Sequence, residues 1–236
     1  MSGAHRGGSN VASGLSLPVA KPALGARRLA RYRNTLVIAL VALLVLPLTL
    51  FLLKPAAVPD LAHGNVPGAT ALSAGWAKGQ MIVLIRHVER CDHSRAACLN
   101  APDGITDRAR DVAVGVGARF EHLGLAKADI YHSPLTRAVQ TAGYMFSQAG
   151  SGEDWLINCR QHLLRDALAH KVAGRNLVLV THSECMNALE KELKLPSSTL
   201  GYGASLFVST DTLDGRPKML GFIEASDWRS VALNRP

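Results

Sequence analysis

Acidic residues are absent from positions 1–53, where Arg6, Lys21, Arg27, Arg28, Arg31 and Arg33 give a charge of +6. Residues 54–236 are nearly balanced at +2, so the formal +8 of the chain belongs mainly to an N-terminal arm. Aromatic residues are scarce, at 5% of the chain, too few for a surface that stacks bases. A basic total of this kind is poor evidence for nucleic-acid binding, and no nucleic-acid partner is expected. No internal repeat is present, so no repeat architecture is in play. No Gly-x-Ser-x-Gly elbow surrounds His182-Ser183, which sets aside an α/β serine hydrolase. Cysteine occurs four times, always beyond residue 90.

What is present divides the chain. Residues 1–34, rich in Gly, Ala, Ser and Arg without a sustained apolar period, read as a disordered basic tail. Thr35 to Leu53 is a run of nineteen uncharged residues, long enough to span a bilayer as a helix; Pro47 is compatible with a span. Basic residues on one side only place the tail in the cytoplasm and send the rest across. Ala56-Ala57 offers a cleavage site, so release of the segment stays open. Pro55, Pro59, Pro67 and several small residues make 54–79 read as a linker, leaving 80–236 as the folded domain.

Within that domain, Met81–Ile85 and Asn176–Thr181 are short, continuous apolar runs suited to strands buried on both faces. Asp129–His132 and Trp155–Asn158 read as further short strands. Ser205–Ser209 and Met219–Ile223 read as a hairpin around Thr212-Leu-Asp-Gly215. Helical periods follow Thr106-Asp107, where Gly115 and Gly117 weaken the pattern, and Ser133-Pro134, which supplies a cap and a first-turn proline. Further helices fall at Leu163–Val172 and 184–194. The alternation implies an α/β sandwich.

The chemistry converges on strand ends. The first strand ends in Arg86-His87, a fixed cation beside an imidazole, and the late strand ends in His182. The helix opened by Ser133-Pro134 carries Arg137 in its first turns, near a partly positive terminus. Two Arg and two His arriving at one sheet edge suit a phosphoryl group.

These residues resemble the histidine phosphatase superfamily, which includes cofactor-dependent phosphoglycerate mutase. The Arg-His pair, Ser133-Pro-Leu-Thr-Arg-Ala-Val-Gln-Thr-Ala142 and Thr181-His182-Ser183 stand in the family's order across residues 80–195. A closer resemblance runs through Arg86-His-Val-Glu-Arg-Cys-Asp-His-Ser94, Cys98 and Gly104-Ile-Thr106, to the lipopolysaccharide core heptose(II)-phosphate phosphatase branch. The resemblance implies a three-layer α/β sandwich with a mostly parallel central sheet, preceded by one transmembrane helix. It implies a phosphohistidine mechanism with no metal and no cofactor. His87 would attack phosphorus, while Arg86, Arg137 and His182 hold the phosphoryl oxygens; Arg90 and Ser133 are expected to bind substrate. The expected partner is a phosphorylated small molecule or envelope glycolipid, met by a single-pass bacterial inner-membrane protein with its catalytic domain in the periplasm.

The leaving group needs a proton, and the sequence leaves the donor open. Glu89 is the first choice by proximity to His87; His162, in Cys159-Arg-Gln-His162, and Glu184 are the others. Four cysteines in an exported domain suggest disulfides. Cys91–Cys98 would close a loop beside the site and Cys159–Cys185 would tie a loop to the helix after His182, though sequence does not fix the pairing. A phosphoprotein phosphatase or phosphotransferase of the same fold, and a non-catalytic anion-binding module, stand as alternatives.

Overall fold

The computed structural model describes residues 24–53, 57–212, 214–231 and 233. The tail expected over residues 1–34 lies largely outside them. Two compact units divide near Lys54.

Among the described residues the first unit holds one helix, α1 (Leu24–Leu52), which begins eleven residues ahead of the expected apolar run and carries Pro47 inside it. Its stretch from Tyr32 to Leu52 is long and apolar enough to cross a membrane. From Tyr32 onward its large apolar side chains are exposed.

The second unit is built on a five-stranded sheet: β1 (Met81–Arg86), β2 (Ala128–His132), β3 (Asn176–Thr181), β4 (Ser205–Ser209) and β5 (Lys218–Ile223), in spatial order β2-β3-β1-β4-β5. β1 pairs in parallel with β3, and β3 with β2; β4 alone runs against the others. The sheet is therefore mostly parallel. Side chains alternate between its faces, and both faces are buried, which is why β1 and β3 carry no polar alternation. Met81, Val83 and Ile85 enter one core with helices α2 (Val66–Ala77), α3 (Asp107–Leu123) and α4 (Thr136–Met145). Ile82 and Leu84 enter the other with α5 (Leu163–His170) and α6 (Ser183–Glu192). The result is a three-layer α/β sandwich.

Three local expectations are corrected. Residues 54–79 are not simply a linker, because they contain α2. Asn65 caps that helix by accepting from the Gly68 amide at 3.0 Å, and Pro67 sits in the first turn, where its missing N–H costs nothing. Leu72 and Trp76 are fully buried, and the Trp76 indole donates to Gly124 O at 2.8 Å. Ahead of α2, Pro59–Leu61 pairs with Phe222 through two backbone hydrogen bonds. That approach leaves no room for a Cβ at Gly221, whose φ is +152°. Second, Trp155–Asn158 is not a strand: Asp154–Leu156 forms a 3-10 turn that drives Leu156 into the second core. Third, Ser133 does not cap α4. The cap position is Leu135, and the Ser133 hydroxyl is committed elsewhere. β4 and β5 do pair as a hairpin; Leu213 in its connection lies outside the described residues.

Candidate active site

Strand register builds the site. Arg86 stands opposite Thr181 on adjacent parallel strands, so the next residues, His87 and His182, emerge side by side with ring centroids 5.3 Å apart. The His87 amide donates to Thr181 O and the Ser133 amide to Val180 O, each at 2.9 Å, which binds the ends of β1, β2 and β3 into one edge. This is the carboxyl edge of the parallel strands, where such sheets place their ligands.

His87 is 3% exposed, and its Nδ1 lies 2.7 Å from Val88 O. A carbonyl only accepts, so Nδ1 carries the proton and Nε2 holds a free lone pair. Nε2 has no hydrogen-bond partner among the described residues. Burial pushes the His87 pKa down to about 3, and the neighbouring His182, Arg137 and Arg86 act in the same direction against the Val88 carbonyl. His182 is lowered to about 4, by burial first and then by Arg137. Both rings are therefore neutral at pH 7.

Around them, polar atoms are left unpaired. Arg86 Nε, Arg137 Nε and His182 Nδ1 are buried without partners among the described residues. An orphaned buried polar group costs roughly 1–3 kcal/mol, and these three are available to a ligand that can pair them. Arg86 is fixed from behind: one Nη donates to Leu200 O, and the guanidinium lies 4.1 Å above the Tyr202 ring. Tyr202 also faces His87, at 5.6 Å between ring centroids.

The stretch 133–142 explains itself side chain by side chain. Ser133 Oγ lies 2.8 Å from His182 Nε2 and fixes that ring. Thr136 donates to Asp103 at 2.6 Å, and Gln140 accepts from the Ile105 amide at 2.8 Å while bonding Asn100, so α4 holds the 91–105 loop. A Cβ on Gly104 would overlap Gln140 Oε1. Thr141 accepts from the Val88 amide at 3.2 Å, locking the turn that carries His87. Ala138 and Ala142 are buried in the first core, and Arg137 is left for the site. The loop is tightened further by a Cys91–Cys98 disulfide; Cys159–Cys185 joins the segment after Leu156 to α6. Both are the pairings expected.

Glu89 is corrected as the proton donor. Arg108 grips both its oxygens, at 2.5 and 2.7 Å, and Thr106 and Ser94 also donate to it. Arg108 above all holds its pKa down to about 2, so it is a permanent anion pinning the loop to α3. His162 is exposed at the start of α5. Glu184 is exposed and shares the electrostatic field of His182 and Arg137. Burial works to raise its pKa, but hydrogen bonds from the backbone and Ser183, followed by those two residues, lower it overall. Arg90 forms a two-pronged pair with Asp92, both contacts at 2.5 Å. Ser133 is fully buried, so it positions His182 rather than meeting a ligand.

Sequence reasoning missed Tyr202. Because β4 runs antiparallel to β1, its leading end returns to the carboxyl edge of the parallel strands, and Gly203 N donates to Arg86 O. Gly201-Tyr-Gly203 before a strand was the only local signal.

No family model matches the chain. It is 31% identical over 115 residues to a curated lipopolysaccharide core heptose(II)-phosphate phosphatase of Shigella flexneri, covering 47% of this chain and 56% of that one. Against the protein of that name from Salmonella choleraesuis, identity is 29% over 124 residues, covering 51% and 61%. The chain thus spans little more than half the length of the curated relatives it matches. Among solved structures, a protein histidine phosphatase SixA complexed with tungstate is similar, with a TM-score of 0.49 and 14% identity, over 62% of this chain and 97% of that one. A phosphoserine phosphatase mutant of Entamoeba histolytica has a TM-score of 0.48 and 15% identity, over 62% and 98%.

Proposed function

From the histidine phosphatase kinship that its motifs and curated relatives carry, we propose that this chain is a phosphomonoesterase working through a phosphohistidine on His87. The observation that carries the reading is the free, unprotonated His87 Nε2, set among unpaired donors of Arg86 and Arg137. Nε2 attacks phosphorus, the bond from phosphorus to the ester oxygen breaks, and the leaving oxygen takes a proton. Arg86 and Arg137 stabilise the charge spread over the phosphoryl oxygens, as does His182 if its orphaned Nδ1 carries the ring proton. Water then attacks the phosphohistidine and releases inorganic phosphate. Glu184 is the carboxyl group left to give the proton to the alkoxide and to take one from water. A bound phosphate dianion beside it opposes its ionisation and raises its pKa.

The relatives' names support a phosphorylated sugar of the bacterial envelope as substrate. The apolar helix α1 supports anchoring in the inner membrane, and the two disulfides support a catalytic unit on the periplasmic side. The test is hydrolysis of an aryl phosphate by the full chain in detergent, with EDTA present, beside His87→Ala. The parent is expected to turn over and the variant to lose at least about 10³-fold. Full activity in the variant overturns the mechanism.

A further inference from the structure

The two glycines inside α3 have different reasons to be there. A Cβ at Gly117 would lie 2.1 Å from Met145 O, so packing against the end of α4 requires glycine. A Cβ at Gly115 would meet nothing within 4 Å. A mid-helix glycine that no close packing requires is a cost to the helix, and at Gly115 the missing side chain leaves open space. Gly115 lines a cavity of about 550 Å³, a volume ordinary for a small-molecule site.

That cavity adjoins the catalytic centre through one residue, Tyr202, which lines it and also lies against Arg86 and His87. Its wall is rigid: Trp228 is 3% exposed and packs edge-on against Phe120 at 5.0 Å. The Tyr202 loop is pinned across it, with the Gly201 amide donating to the Glu224 carboxylate at 3.0 Å. Two cations, Arg119 and Arg229, border the cavity, and neither enters an ion pair or side-chain hydrogen bond among the described residues. The half-buried Tyr202 ring beside two unengaged guanidiniums, with the Glu224 carboxylate already accepting from Gly201, suits a sugar ring that carries an anionic substituent.

We propose that this cavity is the leaving-group subsite: it takes the sugar from which phosphate is removed, and Arg119 and Arg229 hold a second anionic group on that sugar or its neighbour. Gly115 is the residue that keeps the subsite open. The proposal rests on the phosphatase reading.

The experiment compares the full chain in detergent with Gly115→Phe, Gly115→Ala and the Arg119→Ala/Arg229→Ala double variant. For each, kcat/KM is measured on glucose 1,6-bisphosphate and on an aryl phosphate. The ratio of the two is expected to fall by about tenfold or more in Gly115→Phe and in the double variant, carried by KM, and to hold in Gly115→Ala. Ratios equal to the parent's in both overturn the subsite while leaving the phosphatase reading intact. Hydrolysis of neither substrate by the parent overturns that reading instead. Calorimetric binding of the bisphosphate then decides the cavity: a weaker Kd in Gly115→Phe supports it, and an unchanged one sinks it.

Discussion

Two charged clusters lie within a few residues of each other after β1, and they are opposites. In one, Glu89 is saturated by Arg108, Thr106 and Ser94, and Arg90 is closed on Asp92. In the other, Arg86, Arg137 and His182 each keep a buried polar atom without a partner among the described residues, and His87 presents a bare nitrogen there. The first cluster has settled its electrostatics internally and so acts as scaffold. The second keeps polar atoms available to a ligand, and their pairing with a phosphoryl group is the chemistry proposed. Proximity in sequence does not separate the two roles; the state of the hydrogen-bond partners does.

The contrast is sharpest at Arg137. Arg137→Ala removes a cation that has no ion pair among the described residues, and kcat/KM on an aryl phosphate is expected to fall about 10²–10³-fold with the unfolding midpoint unchanged or raised. A large drop in stability with little loss of rate would place Arg137 in the scaffold.

A pH effect of intermediate size follows from His87. Its folded pKa of about 3 lies below the unfolded value near 6.5, so the unfolded chain binds the proton first. This contribution to stability is full above pH 6.5 and is lost as pH falls toward 3, amounting to at most about 2 kcal/mol between pH 7 and pH 5. Urea unfolding at the two pH values should show a smaller loss in His87→Ala than in the parent; equal losses would mean that the ring is not buried as described.

Ser133→Ala leaves His182 without its 2.8 Å partner, and kcat is expected to fall about tenfold with KM little changed. A change confined to KM would restore Ser133 as a substrate contact. Smallest is Glu89→Gln, expected to lower stability by about 1 kcal/mol, since Arg108 is largely exposed, and to leave aryl phosphate turnover within about threefold. An activity loss there matching Arg137→Ala would erase the distinction between the clusters.

Much of this was legible in the sequence, for identifiable reasons. Met81–Ile85 and Asn176–Thr181 are apolar without alternation because both sheet faces are covered, so they read as strands at once. Arg86, His87 and His182 sit at strand ends, where backbone register alone brings them together. What stayed hidden depended on partners remote in sequence. Glu89 looked like an acid because Arg108, nineteen residues on, is brought to it only by α3. Pro59 and Pro67 suggested a linker, although Leu72 and Trp76 bury themselves once α2 forms. Tyr202 reaches His87 only because β4 is antiparallel, which no local pattern announces.

Everything proposed for the site depends on covalent use of His87. Full-length chain mixed with a ³²P-labelled phosphomonoester and quenched in alkali, which preserves phosphohistidine, tests it directly. Label is expected on the peptide carrying His87, absent from His87→Ala and lost on chasing with unlabelled substrate. Label on another residue, or turnover with no labelled protein at any quench time, would contradict it.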